Sequence, residues 1–209
     1  MRRSLLGLLT VLAAGSLLVM AGCQRDATLR VASINNGNTL RSDLSDFYQY
    51  SITEDDETEV IILYQVMPDS LKVELQYVEI GAGLPTWTPY EAIINKATVK
   101  FKSRLTMDEP PPYKDAVAVL EQHVPSDPAG KKTTSFYFTP ITAVWKQQVF
   151  GEAGVIEEDD PYFTDLIDLA DATVTFTGYD PVSNRDVSAT GTLQVEFGNL
   201  YDDPSRFGR

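Results

Sequence analysis

Apolar and polar residues alternate along much of the chain, and this period of two is typical of β-strands that bury one face. The longest alternating run covers 187–197, and a shorter run covers 172–177. The stretch between them reads YDPVSNRD, and its Asp-Pro and Ser-Asn steps favour a turn. The two runs therefore predict a long antiparallel hairpin with one buried face.

Seven further segments carry the same alternation, or a short apolar run that suits a strand covered on both faces. They are 28–34, 47–53, 59–66, 71–77, 97–105, 116–124 and 133–141. Glycine and proline fall mostly between these segments, where turns are expected. The sequence therefore predicts eight or nine strands.

One segment, 159–171, has the pattern of a short helix. Pro161 suits the first turn of a helix, and Asp160 can cap it. Four apolar residues would share one helical face: Phe163, Leu166, Ile167 and Ala170.

Many short strands and little helix predict an all-β fold, specifically an antiparallel β-sandwich of two packed sheets with one short helix. A β-barrel is the alternative, because periodicity does not distinguish two packed sheets from one closed sheet. The length of 209 residues suits a single domain. We assign this domain to 28–200 and expect a flexible C-terminal tail at 201–209.

The N-terminus is organised like an export signal. Two arginines precede an uncharged run, 5–20, that is rich in Leu, Val and Ala. This run is shorter than the roughly 20 residues that a membrane-spanning helix needs. It leads into VMAGC, which resembles the lipobox of bacterial lipoproteins, with Met20 where Leu is usual. The resemblance implies that 1–22 is a signal peptide and that the only cysteine, Cys23, carries lipid.

A lipid on Cys23 would place the protein in the cell envelope. Two acyl chains suffice for stable anchoring, and the lipobox resemblance implies a diacylglyceryl group with a further N-acyl chain. Residues 23–27 would then be the lipidated cysteine and a short tether, so the domain is expected close to the bilayer. Gln24 follows the cysteine, whereas Asp at that place commonly signals retention in the inner membrane. This favours the outer membrane, on its periplasmic or surface face.

The charge balance excludes some classes of partner. The chain has 17 basic and 30 acidic side chains, a formal charge of −13, and loss of two arginines with 1–22 makes it −15. Such acidity repels nucleic-acid phosphates and anionic lipid headgroups. We therefore expect contact with the membrane only through the anchor, and no binding to nucleic acid.

Three stretches extend the resemblance to uncharacterised bacterial lipoproteins with a single immunoglobulin-like sandwich. They are ATLRVASINNGNTLRSDLSD, ITEDDETEVII and ATVTFTGYDPVSNRDVSATGTLQVEFGNL. Their common features are turn residues and alternating strands. The resemblance therefore implies a fold and an anchor, and it implies no activity or functional residue.

No residue pattern points to catalysis. His123 is the only histidine, and Ser126 and Asp127 follow it closely, but a hydrolase triad is usually assembled from distant segments. A solvent-facing histidine at a strand end is the expected arrangement. Because there is one histidine and the cysteine is expected to carry lipid, the usual zinc ligands are missing. We predict no enzyme activity, no metal and no cofactor.

Two acidic runs, 54–57 and 157–160, fall in predicted loops. Calcium takes six to eight oxygen ligands, and oxygen-rich loops on sandwiches can supply them. Neither run has the spaced ligands and sixth-position glycine of a calcium-binding loop. A solvated acidic surface is the expected role, and a calcium-dependent adhesion domain remains an alternative.

Aromatic residues offer a second kind of binding site. Trp87 and Tyr90 lie in GAGLPTWTPYEA, and Trp145 lies in ITAVWKQQVF. An exposed tryptophan on a stiff loop can stack on a sugar ring or anchor a partner protein, so Trp87 and Tyr90 are predicted ligand-binding residues. The alternative is a tryptophan that folds back over the sandwich edge. The PPPY at 110–113 is expected to be a stiff loop between strands.

These features favour a lipid-anchored envelope protein that binds or scaffolds without catalysis. Its partner would be another envelope protein, held by loops or an unpaired strand edge. A carbohydrate-binding module is the first rival, and it requires Trp87 to be exposed on a concave face. An enzyme is the second, and it requires a deep pocket with two carboxylates, or His123 beside a hydroxyl. The oligomeric state stays open.

Overall fold

The computed structural model of the chain describes residues 26–44, 46–54, 57–80, 91–105, 111–127, 129–151 and 165–199. These residues form an all-β fold, as predicted, with a single short α-helix. The strands are β1 Asp26–Ile34, β2 Leu40–Asp43, β3 Asp46–Glu54, β4 Glu57–Gln65, β5 Asp69–Ile80, β6 Glu91–Ser103, β7 Ala116–Pro125, β8 Thr134–Ile141, β9 Asp165–Asp180 and β10 Arg185–Asn199. The helix, α1, is Ala143–Lys146, and a π-helical turn, Gln147–Gly151, follows it directly.

The described strands are arranged in three sheets. Five of them form one sheet in the order β2-β10-β9-β6-β7, three form a second in the order β1-β5-β8, and β3 pairs with β4 as a hairpin. Every pairing is antiparallel except that of β2 with β10, which is parallel. The predicted fully antiparallel arrangement is therefore wrong at this one pair. β2 has only four residues, too few for an alternating pattern to reveal it.

The predicted C-terminal hairpin is confirmed. β9 and β10 pair along their whole length, and Thr175 lies opposite Thr190. At the turn, the Asp180 carboxylate accepts hydrogen bonds from the backbone N–H groups of Val182, at 2.8 Å, and Ser183, at 3.1 Å. Asn184 adopts a left-handed φ of 53°, which Asn tolerates better than most residues. The Asp and Asn of YDPVSNRD thus close the turn that the sequence predicted.

The three-stranded and five-stranded sheets share one hydrophobic core. β5 buries every second residue from Leu71 to Tyr77, as alternation predicts. Phe136 and Phe138 of β8 contact Phe176 of β9, with ring centroids 6.2 Å and 5.6 Å apart. These contacts join the inner faces of the two sheets.

Gly191 allows β1 to pack closely against β10. A Cβ at this position would lie 2.8 Å from Ile34 Cδ1 and 2.9 Å from Val31 Cγ1, both side-chain atoms of β1. Gly191 stands in the buried phase of β10, between Ala189 and Leu193. Side chains of β1 occupy the space that a side chain at position 191 would need.

An aromatic cluster fills the core beside α1. Its rings belong to Phe101, Tyr113, Trp145, Phe150 and Phe197, with neighbouring centroids 4.8–6.3 Å apart. The helix begins where the Thr142 hydroxyl accepts a hydrogen bond from the Trp145 N–H at 3.1 Å, an N-cap. This helix, within ITAVWKQQVF, was not predicted, because four residues cannot show a helical period.

The predicted helix at 159–171 is wrong where the structure describes it. Residues 165–171 are the beginning of β9, and 159–164 lie outside the described residues. Asp168 points inward between Ser103 and Tyr113, whose hydroxyls donate to it. A charged residue at an inward position hides the alternation of a strand, so the segment resembled a helix.

Among the described residues, no helix combines the length and apolar character needed to cross a membrane.

Candidate functional site

The predicted site residues Cys23, Trp87 and Tyr90 lie outside the described residues. The strands that flank them are described. β1 begins at Asp26, three residues after Cys23, and Asp26 pairs with Ile80 at the end of β5. The segment that contains Trp87 and Tyr90 connects Ile80 to Glu91.

The segment with the predicted lipid site and the segment with the predicted aromatic site therefore join the sheets at the same end. Ser126, which follows β7, forms a bridge with Tyr77 of β5, and the neighbouring Pro125 pairs with Glu91. We refer to this end of the sheets, where β1 begins, as the anchor end.

His123, Ser126 and Asp127 are directed to three different partners. His123 is exposed on β7, as expected, and its Nδ1 lies 3.1 Å from Glu91 Oε2. The Ser126 hydroxyl donates to Glu79 at 2.5 Å. The Asp127 carboxylate instead accepts hydrogen bonds from three backbone N–H groups of its own turn, those of Ala129, Lys131 and Lys132. These hydrogen bonds, led by those of Lys132 and Lys131, lower the pKa of Asp127.

Trp145 is a core residue. Only 6% of it is exposed, and its indole N–H donates to the Lys114 carbonyl at 3.0 Å. Tyr113, the last residue of PPPY, packs against it and donates its hydroxyl to Asp168 at 2.5 Å. Burial, followed by the adjacent Asp168 carboxylate, raises the pKa of Tyr113. Trp145 is therefore part of the core and is not exposed to a ligand.

A buried ion pair connects α1 to both large sheets. Lys146 of α1 is fully buried, and its Nζ lies 3.0 Å from Asp69 Oδ2 at the start of β5. Lys146 also donates to the Asp43 carbonyl, and Ser42 of β2 donates its hydroxyl to Asp69 at 2.6 Å. Burial raises the pKa of Asp69, and the opposing effects of Lys146 and Ser42 only partly offset it. Because Ser42 and Lys146 are fully buried, this group holds elements together and offers no surface to a ligand.

The outer face of the five-stranded sheet carries a hollow near the anchor end. Its volume is about 350 Å³, at the lower end of the range for small-molecule sites. Three adjacent strands supply its lining, which consists of Asn95 from β6, Thr177 and Gly178 from β9, and Asp186, Val187 and Ser188 from β10. We refer to it as the outer hollow.

A β-bulge in β6 forms one side of the outer hollow. Ile94 pairs with Gly178 and Lys96 pairs with Thr177, so Asn95 is an extra residue that has no paired residue on β9. Both Asn95 and Lys96 are therefore exposed, whereas Ile94 and Ala97 on either side point inward.

Gly178 lines the outer hollow, and no side chain fits at this position. A Cβ on Gly178 would lie 2.0 Å from the carbonyl oxygen of Ile93. That oxygen belongs to the backbone of β6, so it cannot be moved by a rotamer change. Glycine within a strand often marks such a close approach between backbones.

The polar groups around the outer hollow can both donate and accept hydrogen bonds. Asn95 offers an amide, Thr177 and Ser188 offer hydroxyls, and Asp186 offers a carboxylate. Beside them, Tyr179 lies opposite Asp186 on the outer face, and the residue is 41% exposed. The arrangement can bind a small polar ligand with an apolar face.

The outer hollow is not among the sites predicted from the sequence, although two features of the strands point to it. The buried residues of β6 occupy even positions up to Ile94 and odd positions from Ala97, and such a change of phase indicates a bulge, although the apolar Ile93 obscures it in the sequence. Gly178 interrupts the buried positions of β9 between Phe176 and Asp180. Both signals locate the backbone irregularity, but neither shows that the two strands meet.

The described residues contain no group of three or more His, Cys, Asp or Glu side chains that could hold a metal ion. The predicted acidic runs fall largely elsewhere. Of the run 54–57, only Glu54 and Glu57 are described, as the paired ends of β3 and β4, and 157–160 is outside the described residues.

Comparisons of the chain with protein-family models, with curated proteins and with solved structures find no match.

Proposed function

We propose that the protein is a lipid-anchored lipoprotein of the cell envelope whose β-domain is a non-catalytic binding or scaffolding module. The observation that carries the proposal is the short distance along the chain between the lipobox-like motif and the first strand. VMAGC ends at Cys23, and the first described strand begins at Asp26. An acyl anchor on Cys23 would therefore hold the anchor end of the sheets close to the bilayer. Gln24 follows the cysteine, where Asp commonly signals retention in the inner membrane, and this favours the outer membrane.

The domain is proposed to be an immunoglobulin-like sandwich rather than a barrel. In its support, the described strands form two large sheets that share one core but have no continuous ladder between them. A single bridge, Tyr77 with Ser126, links β5 to the residue after β7. A closed barrel would require ladder pairing at every edge.

Two surfaces can serve a binding role. β7 is an edge strand of the five-stranded sheet, and Val119 on it is 89% exposed. Edge strands can accept a strand from a partner, such as another envelope protein. The outer hollow is the second surface, and it favours a small polar ligand. A carbohydrate-binding role for Trp87 and Tyr90, and a calcium-dependent adhesion role, remain predictions.

The anchor is tested by mass spectrometry of the mature N-terminus. Protein purified from the membranes of an expressing bacterium is expected to begin at Cys23 and to carry acyl chains on it. Cys23→Ser is expected to abolish labelling with a radioactive or clickable fatty acid, because the sulfur that accepts the diacylglyceryl group is gone. An unmodified Cys23 thiol in membrane-derived protein would contradict the proposal.

Gln24→Asp is the matched control for this experiment. It keeps the cysteine, so acylation is expected to be unchanged, while density-gradient fractions should show a shift of the protein towards the inner membrane.

A further inference from the structure

We propose that the outer hollow is a saccharide-binding site, an inference that names the ligand class for the binding role proposed above. A saccharide presents several hydroxyl groups around a ring with an apolar face. The outer hollow offers a matching set, since amide, hydroxyl and carboxylate groups line it and the exposed Tyr179 lies opposite the lining residue Asp186.

The ring of Tyr179 supplies the apolar contact. Tyr179 lies next to Gly178 in β9 and opposite Asp186 in β10, so it adjoins two lining residues of the outer hollow. Buried neighbours on both sides, Gly178 and Asp180, direct its side chain to the outer face. An exposed aromatic face on a rigid strand can stack against the C–H groups of a sugar ring at little cost in conformational entropy.

The remaining lining selects hydroxyl groups. Asp186 accepts hydrogen bonds, Asn95 both donates and accepts through its amide, and the hydroxyls of Thr177 and Ser188 can do either. A sugar hydroxyl also does either, so each of these side chains has a complementary group on the ligand. Charge-assisted hydrogen bonds to Asp186 would be the strongest of them.

Other ligand classes fit less well. A divalent cation needs several oxygen ligands of high charge, and Asp186 is the one carboxylate in the lining. A phosphate would be repelled by that same carboxylate in a chain of net charge −13. An apolar ligand would leave the lining amide and carboxylate without hydrogen bonds.

The outer hollow stands near the membrane if the anchor is as proposed. The Tyr77 hydroxyl donates to Asp180, the neighbour of Tyr179, at 2.7 Å, and Tyr77 pairs with Leu29 of β1. Leu29 is the sixth residue after Cys23, a reach of at most about 20 Å. A free glycan chain and the sugar headgroup of a glycolipid are therefore both within range.

The test uses the full acylated chain in detergent on an array of immobilised neutral hexose, N-acetylhexosamine and deoxyhexose oligosaccharides. At least one oligosaccharide is expected to bind, and titration of that sugar gives the affinity of each variant. Tyr179→Ala is expected to weaken binding about tenfold, because the stacking ring is lost. Asp186→Asn is expected to weaken it by a similar factor, about tenfold, through loss of a charged acceptor. Tyr137→Ala is the matched control, since Tyr137 is an exposed tyrosine, 70% accessible, on β8 of the other sheet.

A second measurement tests binding to phosphatidylcholine vesicles that contain a glycolipid with the same sugar. It distinguishes a glycolipid headgroup from a free glycan as the ligand. Binding to vesicles alone identifies a headgroup, and binding to the free oligosaccharide identifies a glycan; either result supports the proposal. Absence of binding to every oligosaccharide and to the vesicles overturns it. Equal affinities for wild type, Tyr179→Ala and Asp186→Asn also overturn it, because the sugar would then bind elsewhere.

Failure of this inference is distinguishable from failure of the anchor. A free oligosaccharide needs no lipid, so Cys23→Ser is expected to bind it with unchanged affinity. If acylated protein binds no sugar, the saccharide-site proposal is wrong, whereas the proposal of a lipid anchor still stands.

Discussion

Hydroxyl groups from distant parts of the chain donate hydrogen bonds to two buried aspartates, Asp168 and Asp180. Asp180 accepts from Tyr77 at 2.7 Å, and Asp168 accepts from Ser103 and Tyr113. Among the described residues, every buried side-chain nitrogen or oxygen atom has a hydrogen-bond partner. Burial alone would raise the pKa of Asp180, but hydrogen bonds from Tyr77 and from the turn backbone lower it below its usual 3.8.

Asp180→Asn is expected to destabilise the protein in a pH-dependent way. A lowered folded-state pKa means that the charged carboxylate stabilises the fold at pH values above 3.8, and that this contribution is lost as the pH falls through the lower folded value. The variant should therefore lose about 1–2 kcal/mol of unfolding free energy at neutral pH, the difference between a charged and a neutral acceptor. Urea unfolding at several pH values measures this loss, which should shrink below pH 3.8.

The control for this prediction is Asp171→Asn. Asp171 is an exposed residue of the same strand, 3.7 Å from Arg104 in a surface ion pair. Its replacement should change the unfolding free energy by less than about 1 kcal/mol at neutral pH. A loss at Asp180 that stays constant from neutral to acid pH would contradict the assignment of a charged Asp180.

At this scale the sequence predicts only part of the interior. Alternation correctly identifies Val174 and Phe176 as inward residues. It does not identify Asp180 as inward, because its partner Tyr77 stands 103 residues away in the chain. The free-energy cost of burying the Asp180 carboxylate is offset only when the fold brings a hydrogen-bond donor to it.

Two glycines decide how closely the strands approach one another. Gly178 faces the backbone of β6 at the bulge, whereas Gly191 faces the side chains of Ile34 and Val31 on β1. Backbone atoms in a paired strand cannot move aside, whereas a terminal methyl group can rotate or shift. The two positions therefore differ in their tolerance of a side chain, although both glycines lie in long strands.

Gly178→Ala is expected to destabilise the protein more than Gly191→Ala. The new Cβ at position 178 would lie 2.0 Å from the Ile93 oxygen, so β6 and β9 must separate, at a cost of about 3 kcal/mol or more. At position 191 the nearest atom is Ile34 Cδ1 at 2.8 Å, and a cost of about 1 kcal/mol is expected. Chemical denaturation of the two variants and the wild type measures both values. A larger loss for Gly191→Ala would show that the bulge is more adaptable than its geometry indicates.

Long elements were predictable and short or interrupted ones were not. β9 and β10 show uninterrupted alternation over 172–177 and 187–197, and their pairing was predicted correctly. The beginning of β9 was not, because Asp168 occupies an inward position there. The outer hollow was not predicted for a related reason. Asn95 and Gly178 interrupt the alternation of β6 and β9, and the sequence does not show that these two strands are neighbours in the sheet.

Over the whole molecule, one buried ion pair joins three elements that are distant in sequence. Lys146 of α1 contacts Asp69 of the three-stranded sheet, and Asp69 accepts from Ser42 of the five-stranded sheet. Removal of one charge would leave the other without compensation in the interior.

Lys146→Met is therefore expected to cost about 3–5 kcal/mol of unfolding free energy, because it leaves the Asp69 carboxylate unpaired. Lys146→Met combined with Asp69→Asn should recover part of this loss, since the buried charge is then absent. Thermal or urea unfolding measures both variants.

Lys72→Met is the surface control, because Lys72 pairs with Glu74 at 3.2 Å in a partly exposed position. It should change stability by less than about 1 kcal/mol. If Lys146→Met were equally mild, or if the double variant recovered nothing, the ion pair would not be a connection between the sheets.

The parallel pairing of β2 with β10 has a consequence for the timing of folding. Leu40 pairs with Val195, and the adjacent Thr39 hydroxyl reaches Gln194 across 155 residues of chain. A ribosome adds roughly 5–20 residues per second, so β2 waits roughly 8–30 s for the strand beside which it belongs. β2 can therefore take its place only after the C-terminal hairpin has been made, so a chain truncated before residue 195 would leave the β2 segment without the strand that holds it.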